Sequence, residues 1–227
     1  RHEAIKMPEL GRPFPWDDLT KLTLGRRLGE GFYFGAGVKQ GKSELLNELV
    51  DHILKTETAP PAVFKFEEEP AITCKKLAGK LSHKQFNNPE KVLFTDPKTG
   101  DAVDVWGERI PDKMKHTYFT SDELEKAVDN IGDRVIYYNN YGAASWEDVA
   151  EKIRYAVTVK GCKDVFIDPL TRLTAGMESS EANTELERIA DAISTMSKDL
   201  GFTYYIFCHL KAPSTGHILV TFTLGLL

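Results

Sequence analysis

One stretch limits what this chain can fold into more than any other: Gly31-Phe32-Tyr33-Phe34-Gly35-Ala36-Gly37-Val38-Lys39-Gln40-Gly41-Lys42-Ser43. It opens as a short apolar run, turns into glycines and closes on Gly-Lys-Ser. Beyond it, Leu45, Leu46, Leu49, Val50, Ile53 and Leu54 fall on one side of a helix. Strand, glycine-rich loop and helix in that order are the context of a phosphate-binding loop. Glycines let backbone N–H groups curl round an anion, and the helix that follows points its positive end at the same place. This reading sets Ala36, Gly37, Val38, Lys39, Gln40, Gly41, Lys42, Ser43 and Glu44 against a nucleotide. Lys42 reaches the terminal phosphates and the Ser43 hydroxyl holds Mg²⁺. Ala36 stands where the pattern has its first glycine, and a methyl group is tolerated there if φ stays negative.

The rest of the chain bounds this reading. Its 227 residues give room for one large α/β domain, with 41% hydrophobic and 28% charged residues, as in ordinary globular proteins. No apolar run approaches the ~20 residues of a membrane span, and no secretory signal opens the chain, so no membrane partner is expected. The first residue is Arg1 and not Met, which suggests a piece of something longer. A net charge of -5 argues against a basic coat for duplex DNA, while a local basic channel would not show in the total. Cys74, Cys162 and Cys208 stand singly and form no C-x-x-C pair, as expected of inert thiols in a reducing compartment.

Taken in order, residues 1–24 are polar, with Pro8, Pro13, Phe14, Pro15 and Trp16, and read as an arm or linker that docks aromatics on a neighbour. A short helix is expected near Asp17–Leu22. The domain proper is expected over 25–227. Ala59-Pro60-Pro61 stops the helix after the glycine loop, Ala62–Phe66 is a buried-type strand, and Pro70 opens a helix to about Leu81. Residues 82–119 read as a polar surface insertion with a hairpin between Lys91–Thr95 and Ala102–Trp106. Thr120 and Glu123 form a capping box, Arg134–Tyr138 a strand, and Ser145 caps a helix closed by Gly161. Lys163–Asp168 is a buried strand, Pro169–Ser180 a loop, and Leu186, Ile189, Ile193, Met196 and Leu200 mark a helix closed by Gly201. Phe202–Cys208 is a last strand that delivers His209. Strands alternating with helices predict an α/β fold, a mostly parallel sheet covered by helices on both faces.

In such sheets ligands sit beyond the carboxyl ends of strands. Asp168 ends an apolar strand, the pattern of an acid that holds Mg²⁺; a turn aspartate reads the same way. Glu67 follows Phe66 and is suited to orient and deprotonate an attacking water, with Glu68 and Glu69 as competitors for that role. His209 sits where a polar side chain can report the γ-phosphate, unless it is satisfied by local hydrogen bonds.

The series Ala36–Ser43, Phe66-Glu67-Glu68, Val165-Phe166-Ile167-Asp168-Pro169 and Phe207-Cys208-His209-Leu210-Lys211 resembles the helicase domain of phage replicative primase-helicases. It is similar also to Twinkle and, more distantly, to the DnaB and RecA core. The resemblance covers roughly residues 17–212, and a His after the strand that follows the acidic one is its more specific mark. It implies a RecA-like P-loop NTPase fold, here C-terminally truncated, that hydrolyses Mg²⁺-ATP or another NTP or dNTP. It implies a ring, commonly a hexamer, that pulls single-stranded DNA through its centre, with a replisome polymerase and a primase as further partners. The implied compartment is the cytoplasm, that of the host if the chain is a phage's. By position, Glu67 and His209 carry the catalytic and sensor roles, Ser43 and Asp168 the metal, and Arg172 and Lys211 face the DNA. No primase module matches, the arginine finger is expected outside the chain, and the apolar tail 213–227 matches nothing in the family. Two other readings stay open: a recombinase or clock-type ATPase on the same core, and a P-loop regulatory protein without a motor.

Overall fold

The computed structural model describes residues 9–37, 40–139 and 144–210. Its elements in chain order are α1 (Asp17–Thr23), β1 (Gly31–Ala36), α2 (Lys42–Thr56), β2 (Ala62–Lys65), α3 (Pro70–Ser82), β3 (Phe94–Thr95), β4 (Ala102–Val103), α4 (Ser121–Ile131), β5 (Ile136–Tyr138), α5 (Trp146–Thr158), β6 (Asp164–Asp168), α6 (Ser179–Leu200) and β7 (Thr203–His209). Residues 68–135 form one compact unit and the chain on either side of them forms the other.

The second of these holds a five-stranded sheet in the order β1-β7-β6-β2-β5, with every pairing parallel. β6 and β2 are buried along their whole length. That burial explains why their residues form near-continuous apolar runs rather than an alternation. Alternation along the strands still decides which helix each residue meets. One face presents Ala62 and Phe64, Val165 and Ile167, Tyr204 and Ile206 to Trp146, Val149 and Ile153 of α5 and Ile189, Ile193 and Met196 of α6. The opposite face carries Val63 and Lys65, Phe166 and Asp168, Tyr205, Phe207 and His209, with Phe32, Phe34 and Ala36, all in register. Side chains of α2 reach this second face. Phe14, Phe32, Tyr205 and Phe166 form an aromatic row along it, the last two stacked 4.3 Å apart. Gly31 is a glycine for a steric reason: a Cβ there would sit 2.0 Å from the Tyr204 ring.

Three expectations change here. The stretch 9–24, read as an arm for a neighbour, is packed on its own chain. Phe14 is 2% exposed, and Arg12 pairs with Arg26 through backbone hydrogen bonds of 2.9 and 2.7 Å. The loop over 169–180 contains a 3-10 turn, Leu170–Thr174, because Leu170 and Leu173 are buried in the α5–α6 core. The helix before β6 ends at Thr158, ahead of Gly161.

Within 68–135, the Thr120–Glu123 capping box is formed and β3 pairs antiparallel with β4. The unit is wider than the surface insertion expected at 82–119, because it has an apolar centre of its own. Leu77 and Ala78 of α3, Ala127 and Ile131 of α4, and the loop residues Phe86, Ile110 and Phe119 are buried, with the two phenylalanine rings edge to face at 4.9 Å.

Candidate functional site

β1 ends at Ala36, and the chain returns as α2 through a loop whose Val38 and Lys39 lie outside the described residues. Gly41 is the cap of α2 at φ +83°, a left-handed conformation that glycine adopts without the strain a Cβ brings. Gln40 turns back on the loop, its Oε1 accepting from the Gly37 amide at 3.0 Å. Glu44 is exposed in the first turn of α2, where a carboxylate suits the helix dipole.

The side chains that follow Gly41 converge on one acid. Lys42 Nζ donates to Asp168 Oδ1 at 3.3 Å and Ser43 Oγ donates to Asp168 Oδ2 at 3.2 Å. Asp168 is only 5% exposed, so its charge is held by these two groups rather than by water. It ends β6, whose neighbours in the sheet are β7 and β2. From β7 comes His209 and from just beyond β2 comes Glu67, and His209 Nε2 lies 3.2 Å from Glu67 Oε2. His209 Nδ1 is buried without a partner among the described residues. Burial raises the neighbouring Cys208 thiol, with Lys42 opposing and Asp168 adding to the shift, so Cys208 is a neutral thiol near neutral pH.

The residues expected at a site are thus in one place: Lys42 and Ser43 from α2, Asp168 from β6, and the Glu67–His209 pair. Arg172 is not brought to them; it is exposed in the 3-10 turn after Asp168 and makes no ion pair among the described residues. Lys211 and the tail 213–227 lie outside the described residues. Glu68 is committed elsewhere, to Lys76 Nζ and to Thr73 Oγ1 at 2.7 Å.

Sequence reading missed two parts of this unit. Lys65, 6% exposed, lies in register with Asp168 and donates to Asn47 Oδ1 at 3.3 Å. The signal was available, a single lysine inside the apolar strand Ala62–Phe66. The other lies at the opposite strand ends. Arg12 and Arg26 bind Asp164 and Glu57, and the Tyr205 hydroxyl donates to Asp164 at 2.6 Å. Burial first, and then the Asp164 charge, holds that hydroxyl well above the ordinary tyrosine range, so it stays a donor.

The donors around Asp168 fit Mg²⁺. It is a hard ion, usually bound through one or two carboxylates together with substrate phosphates. A hydroxyl and a carboxylate already meet beside a lysine at the start of a helix. Among the described residues no group of three or more His, Cys, Asp or Glu could hold a metal by itself.

No protein-family model matches the chain. It is 24% identical over 202 residues to a DNA helicase/primase of Enterobacteria phage T3, across 87% of this chain and 31% of that protein. The chain therefore spans about a third of its curated relative. Among solved structures it is similar to a helicase ATPase domain, with a TM-score of 0.64, 14% identity, and 92% of this chain and 67% of that one covered. It is similar also to a DnaB-like replicative helicase studied with primase, with a TM-score of 0.62, 15% identity, and coverage of 92% and 46%. The fold is that of RecA-like helicase ATPase domains, and the sequence resemblance to phage primase-helicases has a phage relative behind it. Among the described residues no helix is long and apolar enough to cross a membrane.

Proposed function

We propose that this chain is the motor core of a replicative DNA helicase of the phage primase-helicase type. It hydrolyses ATP or another NTP or dNTP with Mg²⁺ and moves along single-stranded DNA. The observation that carries the reading is the double hold of Lys42 and Ser43 on Asp168 next to the Glu67–His209 pair. Each member has a task in phosphoryl transfer, where catalysis is positioning and charge stabilisation.

Lys42 exchanges the Asp168 carboxylate for phosphate oxygens. Ser43 Oγ and Asp168 then hold Mg²⁺, which bridges phosphate oxygens and neutralises developing charge. Glu67, 49% exposed at its side chain, reaches water and accepts a proton from the attacking molecule. His209 is placed to exchange Glu67 for the terminal phosphate and so report its loss along β7. The amides of the loop 36–41 and the start of α2 bind the remaining phosphates.

The wider assignments come from the phage relative and the DnaB-like neighbours. They are a ring of copies around the DNA, a polymerase and a primase as partners, and Arg172 and Lys211 as DNA-facing cations. The test is NTP hydrolysis with and without single-stranded DNA, beside unwinding of a forked duplex. Hydrolysis stimulated by DNA, together with unwinding, is the expected result. Stimulation without unwinding would turn the reading to a recombinase, and hydrolysis indifferent to DNA to a P-loop regulator.

A further inference from the structure

Lys65 has no part in the mechanism above, yet its position is demanding. It is 6% exposed, and a buried ammonium is costly unless something requires its charge. Its partner across the sheet is Asp168, in register on the adjacent parallel strand, so the two side chains leave the sheet on the same face. Both point at α2: Asp168 meets Lys42 and Ser43, and Lys65 meets Asn47, one helical turn further on. Asn47 is fully buried and spends its Oδ1 on Lys65, while its Nδ2 finds no acceptor. A buried amide with unsatisfied donors implies that accepting from Lys65 outweighs the loss. Asp168 thus has Lys42 in contact on one side and a second ammonium beside it along the sheet.

We propose that Lys65 is a positioning residue for the metal, the resident counter-cation of Asp168. With Lys42 it keeps the carboxylate matched by positive charge until nucleotide arrives, so the divalent ion enters with the phosphates and not ahead of them. The inference rests on the nucleotide-site reading for Asp168. It goes beyond that reading in assigning Lys65 and Asn47, which hold no phosphate. The physics is charge balance: Lys42 and Lys65 oppose Asp168 and Glu67, and a free divalent cation gains little there. Phosphates draw Lys42 away and bring their own negative charge, and the balance then favours the metal.

Direct Mn²⁺ binding, measured by the paramagnetic signal of free Mn²⁺, tests this without reference to turnover. The wild-type chain is expected to bind Mn²⁺ weakly alone and strongly with a non-hydrolysable nucleotide. Lys65→Met is expected to bind Mn²⁺ without nucleotide about tenfold more tightly, the size of effect a charge at 4–6 Å has on a carboxylate. Lys65→Arg, which keeps the charge, is expected to behave as wild type, and Asp168→Asn in the Lys65→Met background to abolish the gain. Tight Mn²⁺ binding by the wild type alone would overturn the proposal with no variant needed. So would equal affinities in wild type and Lys65→Met, or a gain that survives Asp168→Asn. Lys65→Gln serves if Lys65→Met does not fold. Binding of a fluorescent nucleotide to the wild type and to Lys42→Ala separates the two failures, since equal binding there removes the nucleotide site itself.

Discussion

His209 and Glu67 meet 3.2 Å apart although their strands are not neighbours, because β6 lies between β7 and β2 and ends beside them in Asp168. The pair therefore spans the position where a terminal phosphate would stand over the acid. While His209 holds Glu67, the carboxylate has one oxygen engaged and is not free to take a proton from water.

His209→Ala is accordingly expected to leave nucleotide binding intact, since Lys42, Ser43 and Asp168 do not touch His209. It should release Glu67 and uncouple hydrolysis from DNA. The measurement is the ratio of NTPase rates with and without single-stranded DNA. An unchanged ratio would return His209 to a merely structural role.

Glu67→Gln and Glu68→Gln are expected to part company. Phe66 packs against the α5–α6 core and its amide bonds Asp168 O at 2.9 Å, so strand geometry persists past Lys65. Glu67 then falls on the face of Asp168 and His209, and Glu68 on the other. Glu67→Gln should lose about 10²–10⁴ in turnover with nucleotide affinity kept. Glu68→Gln should lose little, its contacts being Lys76 and Thr73. The reverse outcome, read from single-turnover rates, would put the strand register off by one.

These residues show what could be read from sequence. The glycine loop, β2, β6 and β7 carry strong local signals, apolar runs bounded by glycine, proline or acid, and each delivers one reactive residue at its end. That His209 would reach Glu67 across β6 depends on strand order, which no local pattern encodes. Residues 9–24 went astray for a related reason. Pro13, Phe14, Pro15 and Trp16 mark a stretch without periodicity, and only tertiary contact shows that Phe14 is buried against Phe32 at 5.0 Å. Lys65 was legible as an anomaly and passed over, because a single polar residue inside a strand is usually an edge or a solvated position.

Thiol chemistry is expected to follow burial. Burial pushes the Cys162 thiol up to about 12, with Asp164 adding to it. At pH 8 a maleimide or disulfide reagent should label Cys74, which is partly exposed, and spare Cys162 until the chain unfolds. The sign for stability follows. The folded state keeps the Cys162 proton that the unfolded state loses near pH 9. This contribution is therefore present below about pH 9 and is lost as the pH climbs toward 12. Rapid native labelling of all three thiols, followed by mass spectrometry, would contradict the burial.

The last prediction concerns the charged cluster that fastens 9–26 to the lower end of the sheet. Arg26 is 1% exposed and donates to Asp164 at 3.0 Å, to Glu57, to the Tyr205 hydroxyl at 3.2 Å and to Pro13 O at 3.0 Å. Arg12 binds the same two carboxylates and adds Thr203 Oγ1 at 3.0 Å. Two guanidiniums and two carboxylates are balanced, so removing one member leaves a buried charge without its counterpart. Arg26→Met should cost about 3–5 kcal/mol locally and loosen the stretch that carries Phe14. Removing Asp164 as well restores the balance through the remaining Arg12–Glu57 pair, so Arg26→Met/Asp164→Asn should be less damaged than the sum of its parts. The chain has two compact units and need not unfold in one step, so a global melting curve is the wrong measure. Limited proteolysis within 9–26 reads the cluster directly. Faster cleavage in Arg26→Met, with partial recovery in the double variant, is the expected pattern, and equal rates in all three would show that the aromatic row holds the stretch without the charges.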